Sequence, residues 1–334
     1  MPATRYRIAF FTKSKNTTLY TSYVIWALRR AGCKVLRVNM AKLRRHLGAK
    51  LADRLTRRRV DRFRPDACII FSGDMQRETL EYYRGRVGTA LLLDDYFPVA
   101  SPVTEKIKMV DVFFHTMTGQ LDEYRAAGAK RAVYVHSGVD PQVHRRSKPV
   151  ARYTSDVAFI GKAFYDERIR LIQSLAGDVD LKVYGKGWQE YGVPAARSVV
   201  GVKAFSRICG SAKIMLGIDK AADRELYFSN RTWFVLGCGG VLLTRYVPGL
   251  EQMFANHKHL VWFQDVGEVA ELIRYYLKHE NERQRIGRAG YDFAHEHYPF
   301  DRMAENMIRV VFENGEPTPL TDPGPSRTLE LSRN

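Results

Sequence analysis

The chain has 334 residues, of which 45% are hydrophobic and 27% charged, so it is long enough for two globular domains with cores of their own. No segment reaches the roughly 18 apolar residues that a membrane-spanning helix needs. The apolar segment 6–11 is too short for a secretory signal peptide and is soon followed by Lys13 and Lys15. Four cysteines without CxxC spacing indicate buried thiols in place of disulfides or a zinc site, so we predict a cytoplasmic protein.

The charge is unevenly distributed along the chain. There are 53 Lys and Arg against 36 Asp and Glu, which gives a net charge of +17. Residues 1–150 contain 29 basic and 13 acidic residues, whereas the remainder has a net charge of only +1. A basic half beside a neutral half indicates contact with a polyanion or an anionic surface. The alternative is a basic surface that only keeps the protein soluble.

Strand and helix signals alternate through the first half of the chain. Helices are predicted over 19–30 and 118–127, and a linker rich in Gly, Pro and polar residues over 137–152. The predicted strands are 7–12, 34–39, 66–72, 90–93, 111–115 and 132–136. This β-α-β order predicts a parallel sheet.

A second alternating series follows the linker. Its predicted strands are 155–160, 181–184, 213–218, 241–244 and 260–263. Its predicted helices are 166–175, 229–237, 266–279 and 282–296. We therefore predict an α/β protein of two doubly wound, Rossmann-like domains, residues 1–140 and 150–312, with the active site in the cleft between them. The proline-rich segment 313–334 is predicted to be disordered.

Three segment ends in the second half could bind a phosphate group. A helix N-terminus offers free N–H groups, and glycine lets a phosphate approach the backbone. The candidate residues are Gly161, Lys162, Arg168, Gly185, Trp188, Ser229, Asn230, Arg231 and Thr232. Each feature alone could be an ordinary cap or turn, and Trp188 could stack on a base or pack in the core.

Several longer motifs occur in order over residues 135–310. They are Gly138-Val-Asp-Pro141, SDVAFIG (155–161) with Glu167-Arg168, VYGKGW (183–188), NRTWFVLGCGGVLLT (230–244) with VPGLE (247–251) and Phe254, and the closing run 282–302. Together they resemble the CgeB-like branch of the group 1 glycosyltransferases, which have the GT-B architecture.

The resemblance implies transfer of a sugar from a UDP-, GDP- or dTDP-sugar to an acceptor on the first domain. It also implies that the donor diphosphate lies near Gly161, Arg168 and the helix start at 230–232, with no metal or further cofactor, because the helix dipole and cations balance the leaving-group charge. One departure is Phe234, where many relatives carry a glutamate that can hold the donor ribose. A catalytically degenerate scaffold that binds polyanions or membranes is therefore the alternative function.

Carboxylates at strand ends of the first half are the candidates for catalysis. Asp94 and Asp95 follow a predicted strand, and relatives often have an acidic pair there, which could deprotonate an acceptor hydroxyl. Asp74 and His115 are further candidates, although strand-end turns and structural histidines are common. The pair in 178–180 resembles a metal-binding DxD motif, but it precedes a strand and is interpreted as a surface turn.

A basic cluster lies within residues 42–64. Arg54, Arg57, Arg58 and Arg62 share one helical face, and leucines at 43, 47, 51 and 55 form an apolar stripe. This predicts a basic amphipathic helix that binds an anionic acceptor, either a glycoconjugate, a lipid headgroup at the inner face of the membrane, or nucleic acid such as a modified DNA base. Phe63 is the one aromatic residue in the segment, which weighs against stacking on single-stranded bases.

Overall fold

A computed structural model of the chain describes residues 5–13, 20–197 and 200–327. Position 19, where the first helix was predicted to begin, therefore lies outside the described residues. The chain divides into two units: unit 1 comprises Met1–Ser137 and Phe300–Pro319, and unit 2 comprises Gly138–Pro299 and Leu320–Asn334.

Unit 1 is built on a parallel sheet with strand order β2-β1-β3-β4-β5-β6. The strands are β1 (Arg7–Phe11), β2 (Lys34–Val38), β3 (Ala67–Phe71), β4 (Gly88–Leu93), β5 (Val112–His115) and β6 (Ala132–Tyr134). The helices that follow β1 to β5 are α1 (Tyr20–Arg30), α2 (Met40–Phe63), α3 (Arg77–Tyr83), α4 (Pro102–Ile107) and α5 (Leu121–Ala126). The central strands are near-continuous apolar runs because helices cover both faces of such a sheet.

Unit 2 contains a second parallel sheet with strand order β12-β11-β10-β7-β8-β9. Its strands are β7 (Ser155–Ile160), β8 (Leu181–Tyr184), β9 (Ala195–Arg197), β10 (Ala212–Gly217), β11 (Leu242–Arg245) and β12 (Val261–Phe263). Its helices are α6 (Asp166–Leu175), α7 (Val202–Cys209), α8 (Asn230–Gly237), α9 (Glu268–Lys278) and α10 (Glu280–His297). Two doubly wound, Rossmann-like sheets were predicted, and this prediction is confirmed.

The last helix of the chain, α11 (Phe300–Phe312), belongs to unit 1. Phe300 packs on Tyr20 of α1 with ring centroids 5.5 Å apart, and Phe312 stacks on Tyr6 at 3.9 Å. The linear boundary that assigned residues 150–312 to one domain therefore differs from the structure. The chain returns to unit 1 because the apolar side of α11 is buried there, which a reading in chain order does not reveal.

The prediction of a disordered tail does not hold for residues 313–327. The Glu316 carboxylate pairs with Arg131 at 2.8 Å, and the Thr318 N–H donates to Asn306 Oδ1 at 2.9 Å. Farther along, the Pro323 carbonyl accepts a hydrogen bond from Lys258. The extended backbone of this segment thus satisfies its polar groups on the protein surface; residues 328–334 lie outside the described part of the chain.

Candidate functional site

The strand order of the unit 2 sheet reverses between β7 and β10. Strands β8 and β9 are added on one side of this pair, and β11 and β12 on the other. Doubly wound sheets bind ligands at the carboxyl ends of the strands flanking such a switch point. Here those ends are Gly161-Lys162 after β7 and Ile218-Asp219 after β10. The donor residues predicted from the sequence come from β7, β8, α6 and α8, and the structure brings Gly161, Lys162, Arg168, Gly185 and Arg231 to this edge.

Arg231, in the first turn of α8, connects the two strand ends. Its guanidinium donates to the carbonyls of Ile160 and Ile218 at 3.0 Å each and pairs with Asp219 Oδ1 at 2.9 Å. The side chains of the ion pair are 10% and 6% exposed, and burial lowers the pKa of Arg231. Arg231 therefore fixes the geometry of the switch point with groups of the protein itself.

Arg168, on α6, makes a parallel connection. It donates to the carbonyls of Ile218 at 2.6 Å and Lys162 at 3.0 Å, and its guanidinium lies over the Tyr165 ring. Burial, and then the charge of Arg231, lower the pKa of Arg168 to about 10, so it remains protonated at neutral pH. Both guanidiniums thus bond to carbonyl groups, and their predicted contact with a diphosphate stays a prediction.

Gly161 and Gly185 bring the loops after β7 and β8 into direct backbone contact. A Cβ atom on Gly185 would lie 1.9 Å from the Gly161 carbonyl oxygen, and Gly185 has a φ of +146°. The indole N–H of Trp188 donates to the same oxygen at 2.8 Å. Trp188 is fully buried with its ring edge-on to Phe159, so it packs in the core and presents no face to a base.

The N-terminus of α8 lacks a side-chain cap. Ser229 occupies the N-cap position in an extended conformation, but its hydroxyl makes no capping bond. The Ser229 Oγ atom is buried, with no hydrogen-bond partner among the described residues. The Ser229 side chain therefore does not cap α8, although the Thr232 N–H donates to the Ser229 carbonyl at 3.0 Å, and the positive end of the helix dipole at this position suits an anion. Thr232 is buried one turn into the helix, and Asn230 is half-buried at its start.

Sequence reasoning missed the acidic partner of this site. Asp219 follows the buried strand β10, and it balances one of the two buried guanidinium charges. The available signal was an acid immediately after an apolar strand, the same pattern that marks Asp94 in the first half of the chain. With Lys162 exposed nearby, the switch point keeps a local excess of positive charge.

In unit 1 the switch point lies between β1 and β3, and Asp74 lies beside it. The Asp74 carboxylate is 5% exposed, pairs with Lys13 Nζ at 3.0 Å and accepts from the Lys13 backbone N–H. Lys106 donates to the Gly73 carbonyl at 2.6 Å, and burial, with repulsion from Lys13, lowers its pKa. Asp74 thus holds the chain that leaves β1.

The other catalytic candidates follow β4 and β5. Asp94 is half-buried, and its charge adds to the burial that raises the pKa of Tyr20. Asp95 is exposed and accepts from the Tyr96 N–H at 2.8 Å. His115 is fully buried, with Nε2 3.5 Å from Gln120 Oε1; burial lowers its pKa to about 4, so the ring is neutral at pH 7.

The basic segment is helical in α2, but the helix breaks at Gly48, whose φ is +73°, so the predicted leucine stripe from 43 to 55 does not follow one continuous helix. Arg54, Arg58 and Arg62 are exposed. Arg57 differs, because it pairs with Asp53 at 2.7 Å and donates to the Glu78 carbonyl at 2.9 Å. Of the four arginines that were predicted to act together, three therefore point into solvent and the fourth, Arg57, points toward α3.

Phe234, which replaces the family glutamate, has an internal partner. Its ring stacks on His144 at 4.3 Å. Burial lowers the pKa of His144 to about 3, and its Nδ1 accepts from the Asp140 N–H at 2.8 Å.

Across the described ranges, no helix is long and apolar enough to cross a membrane, and no group of three or more His, Cys, Asp or Glu side chains could hold a metal ion.

Part of the chain matches a known protein family. Residues 168–309 match the family described as "Glycosyl transferase-like". No curated protein matches the chain in sequence.

Solved structures match nearly the whole chain. HepE of Anabaena, in complex with UDP and glucose, has a TM-score of 0.64 at 12% identity, covering 92% of this chain and 100% of its own. Sucrose-phosphate synthase of Thermosynechococcus elongatus has a TM-score of 0.65 at 13% identity, covering 93% and 99%. T4 phage β-glucosyltransferase has a TM-score of 0.60 at 12% identity, covering 92% and 99%. The chain therefore has the GT-B fold, and over residues 168–309 it resembles the glycosyl transferase-like family, as its motifs predicted.

Proposed function

We propose that the protein is a glycosyltransferase that transfers a sugar from a nucleoside diphosphate sugar to an acceptor bound by unit 1. One observation carries the proposal: the segment that matches the glycosyl transferase-like family, residues 168–309, contains Arg168, Asp219 and Arg231, which build the β7/β10 switch point. A uridine nucleotide is the first candidate donor, because HepE, which shares the fold, was solved with UDP and glucose.

The proposed diphosphate position lies above Gly161 and the N-terminus of α8. The positive end of the α8 helix dipole and the exposed Lys162 offer positive charge to an anion. Arg168 and Arg231 are proposed to act without touching the donor. Their hydrogen bonds to carbonyls hold the strand ends in place, and their charges add to the local positive potential. These groups can balance the charge of the leaving nucleotide without a metal ion.

In unit 1 we propose Asp94 and Asp95 as the groups that activate the acceptor hydroxyl. Asp74 and His115 are weaker candidates, because the Asp74 carboxylate is engaged by Lys13 and the His115 ring is fully buried. The acceptor is proposed to be anionic because of the charge of +16 in residues 1–150. DNA is one such acceptor, since a β-glucosyltransferase of this fold is described as a DNA modifying enzyme.

A thermal-unfolding screen of UDP, GDP, dTDP and their glucose derivatives tests the donor site. We expect the uridine series to raise the melting temperature. At a ligand concentration of a hundred times the Kd, binding adds about 2.7 kcal/mol to the free energy of unfolding. Lys162→Ala should weaken this effect, whereas Lys278→Ala, at the exposed end of α9, should not. The effect should also persist in EDTA.

No rise with any nucleotide at millimolar concentration would contradict the proposal. Because Arg231 is buried and paired, Arg231→Ala is unsuitable for this test; its effect on folding would obscure its effect on binding. A second candidate function is a degenerate scaffold, favoured by the apolar stacking of Phe234 on His144 where a ribose-binding glutamate was expected. Nucleotide binding without any release of sugar from the donor would favour that candidate.

A further inference from the structure

The outward face of α2 alternates leucine and arginine. Ala52, Thr56 and Val60 form the buried side of the helix. On the opposite side, spacings of three and four residues place five exposed residues on one face: Leu51, Arg54, Leu55, Arg58 and Arg62.

These leucines are unusual for this molecule. Six large hydrophobic residues are exposed in the described part of the chain, and three of them lie on α2. Leu47 is 40% exposed, Leu51 45% and Leu55 37%. Single exposed leucines need no explanation, but Leu51 and Leu55 lie about one turn apart, with Leu47 just before the break at Gly48, and such a row marks a contact surface.

The charge of α2 also points outward. The helix has nine basic and two acidic residues. Asp53 pairs with Arg57 and accepts from the Thr79 hydroxyl, and Asp61 accepts from the hydroxyls of Tyr82 and Tyr83 at 3.1 and 3.0 Å. Because both acids are engaged with α3 or with Arg57, they do not interrupt the cationic face.

A groove of about 690 Å³ adjoins the row of leucines. Leu43 and Leu47 line it together with polar and basic residues: Arg37, Asn39, Lys42, His46 and Arg59. Leu47 belongs both to the groove and to the exposed row, so the apolar and cationic surfaces are continuous.

We infer that the outward face of α2 docks unit 1 onto an anionic lipid bilayer. The leucines insert at the boundary between headgroups and acyl chains, the arginines extend toward phosphates, and the groove receives a headgroup. This surface belongs to unit 1 and the donor edge to unit 2, so the inference does not depend on the nucleotide or on sugar transfer.

Two other occupants fit this face less well. Nucleic acid would use the arginines but has no use for a row of leucines, and Phe63, which could stack on a base, is covered by the Arg7 guanidinium 4.5 Å from its ring centre. A second copy of the chain, related by twofold symmetry, would bring two helices of net charge +7 together.

An environment-sensitive fluorophore on Leu51→Cys gives a direct test. All four native cysteines are buried, so the introduced thiol is the one that reacts in the folded protein. We expect NBD attached there to shift to the blue and brighten with phosphatidylcholine vesicles that contain phosphatidylglycerol. Vesicles of phosphatidylcholine alone, and duplex DNA, should leave the emission unchanged.

Vesicle sedimentation of charge and leucine variants measures the two contributions separately. Arg54→Gln with Arg58→Gln should reduce binding about twenty-fivefold, since each basic residue contributes about fivefold. Leu51→Gln with Leu55→Gln should reduce it at least about tenfold without changing the charge. Controls in unit 2 are Val266→Gln, which is 36% exposed, and the exposed pair Arg207→Gln with Arg274→Gln; none should weaken binding.

Absence of binding to the anionic vesicles at low salt would overturn the inference. So would binding that the arginine pair weakens and the leucine pair does not, because that pattern describes a polyanion site, and DNA would then be the occupant. Circular dichroism of each variant confirms folding, which exposed substitutions are not expected to change.

Discussion

Unit 2 and unit 1 use arginine in opposite ways. At the β7/β10 switch point, Arg168 and Arg231 are buried, and their hydrogen bonds go to carbonyls and to Asp219. On α2, Arg54, Arg58 and Arg62 extend into solvent beside exposed leucines. The first pair shapes the protein itself, whereas the second set is positioned to meet something outside it.

The difference shows that a basic residue near a site need not touch the ligand. A buried guanidinium has several N–H groups to satisfy, and the carbonyl ends of parallel strands supply acceptors in a fixed arrangement. An exposed guanidinium keeps its hydration until a partner arrives. Burial and hydrogen-bond partners therefore separate positioning residues from contact residues.

Arg231→Ala tests the buried side of this comparison and has the largest expected effect. It leaves Asp219 buried without its cation and removes the side-chain link between the ends of β7 and β10, whose backbone pairing remains. We expect a loss of about 3–5 kcal/mol in the free energy of unfolding, measured by urea denaturation. Arg54→Ala on the exposed face is the control and should change stability by less than about 0.5 kcal/mol. Equal, small losses in both variants would remove the distinction.

His115 sharpens the comparison, because it is a buried basic group whose ring contacts the Gln120 amide oxygen, and no carboxylate in the described part of the chain hydrogen-bonds to it. Burial lowers its pKa to about 4, below the ordinary value of about 6.5. Below pH 6.5 the unfolded chain therefore binds more protons than the folded one, and stability falls as the pH falls toward 4.

We expect His115 to lower the free energy of unfolding by about 2 kcal/mol at pH 5 and to leave it unchanged at pH 8. His115→Gln should reduce the acid-induced loss of stability by that amount, read as the difference between urea unfolding at pH 8 and at pH 5. His136, whose pKa burial also lowers to about 4, remains in both proteins and keeps part of the acid response. An unchanged pH dependence in the variant would mean that His115 has the same pKa in the folded and the unfolded chain.

The sequence predicted the fold well because local signals are strong in doubly wound proteins. The predicted bounds of β7, α6 and β8 match the structure residue for residue, and both strands end directly before a glycine, Gly161 or Gly185. The return of α11 to unit 1 could not be predicted, because it depends on packing against α1 across most of the chain length.

The sequence predicted which residues lie at the candidate site, but it did not predict what their side chains contact. Glycine and arginine at Gly161, Gly185, Arg168 and Arg231 were recognised, yet the sequence could not show that the guanidiniums bond to strand carbonyls. Trp188 illustrates the same limit, because an aromatic residue at a strand end looks alike whether it is buried or exposed. Partners far apart in sequence decide the role.

Arg57→Ala, compared with Arg58→Ala, divides the α2 cluster itself and has the smallest expected effect. Arg57 pairs with Asp53, donates to the Glu78 carbonyl and lies 4.8 Å from the Tyr82 ring centre, so its loss should cost about 1 kcal/mol of stability. Arg58 is exposed, and its loss should leave stability within about 0.5 kcal/mol while weakening vesicle binding about fivefold. Arg57→Ala should weaken vesicle binding less than Arg58→Ala does, because its guanidinium faces α3. If the two variants lost the same stability and the same vesicle binding, Arg57 and Arg58 would have the same role. The arginines of α2 would then act only through their total charge.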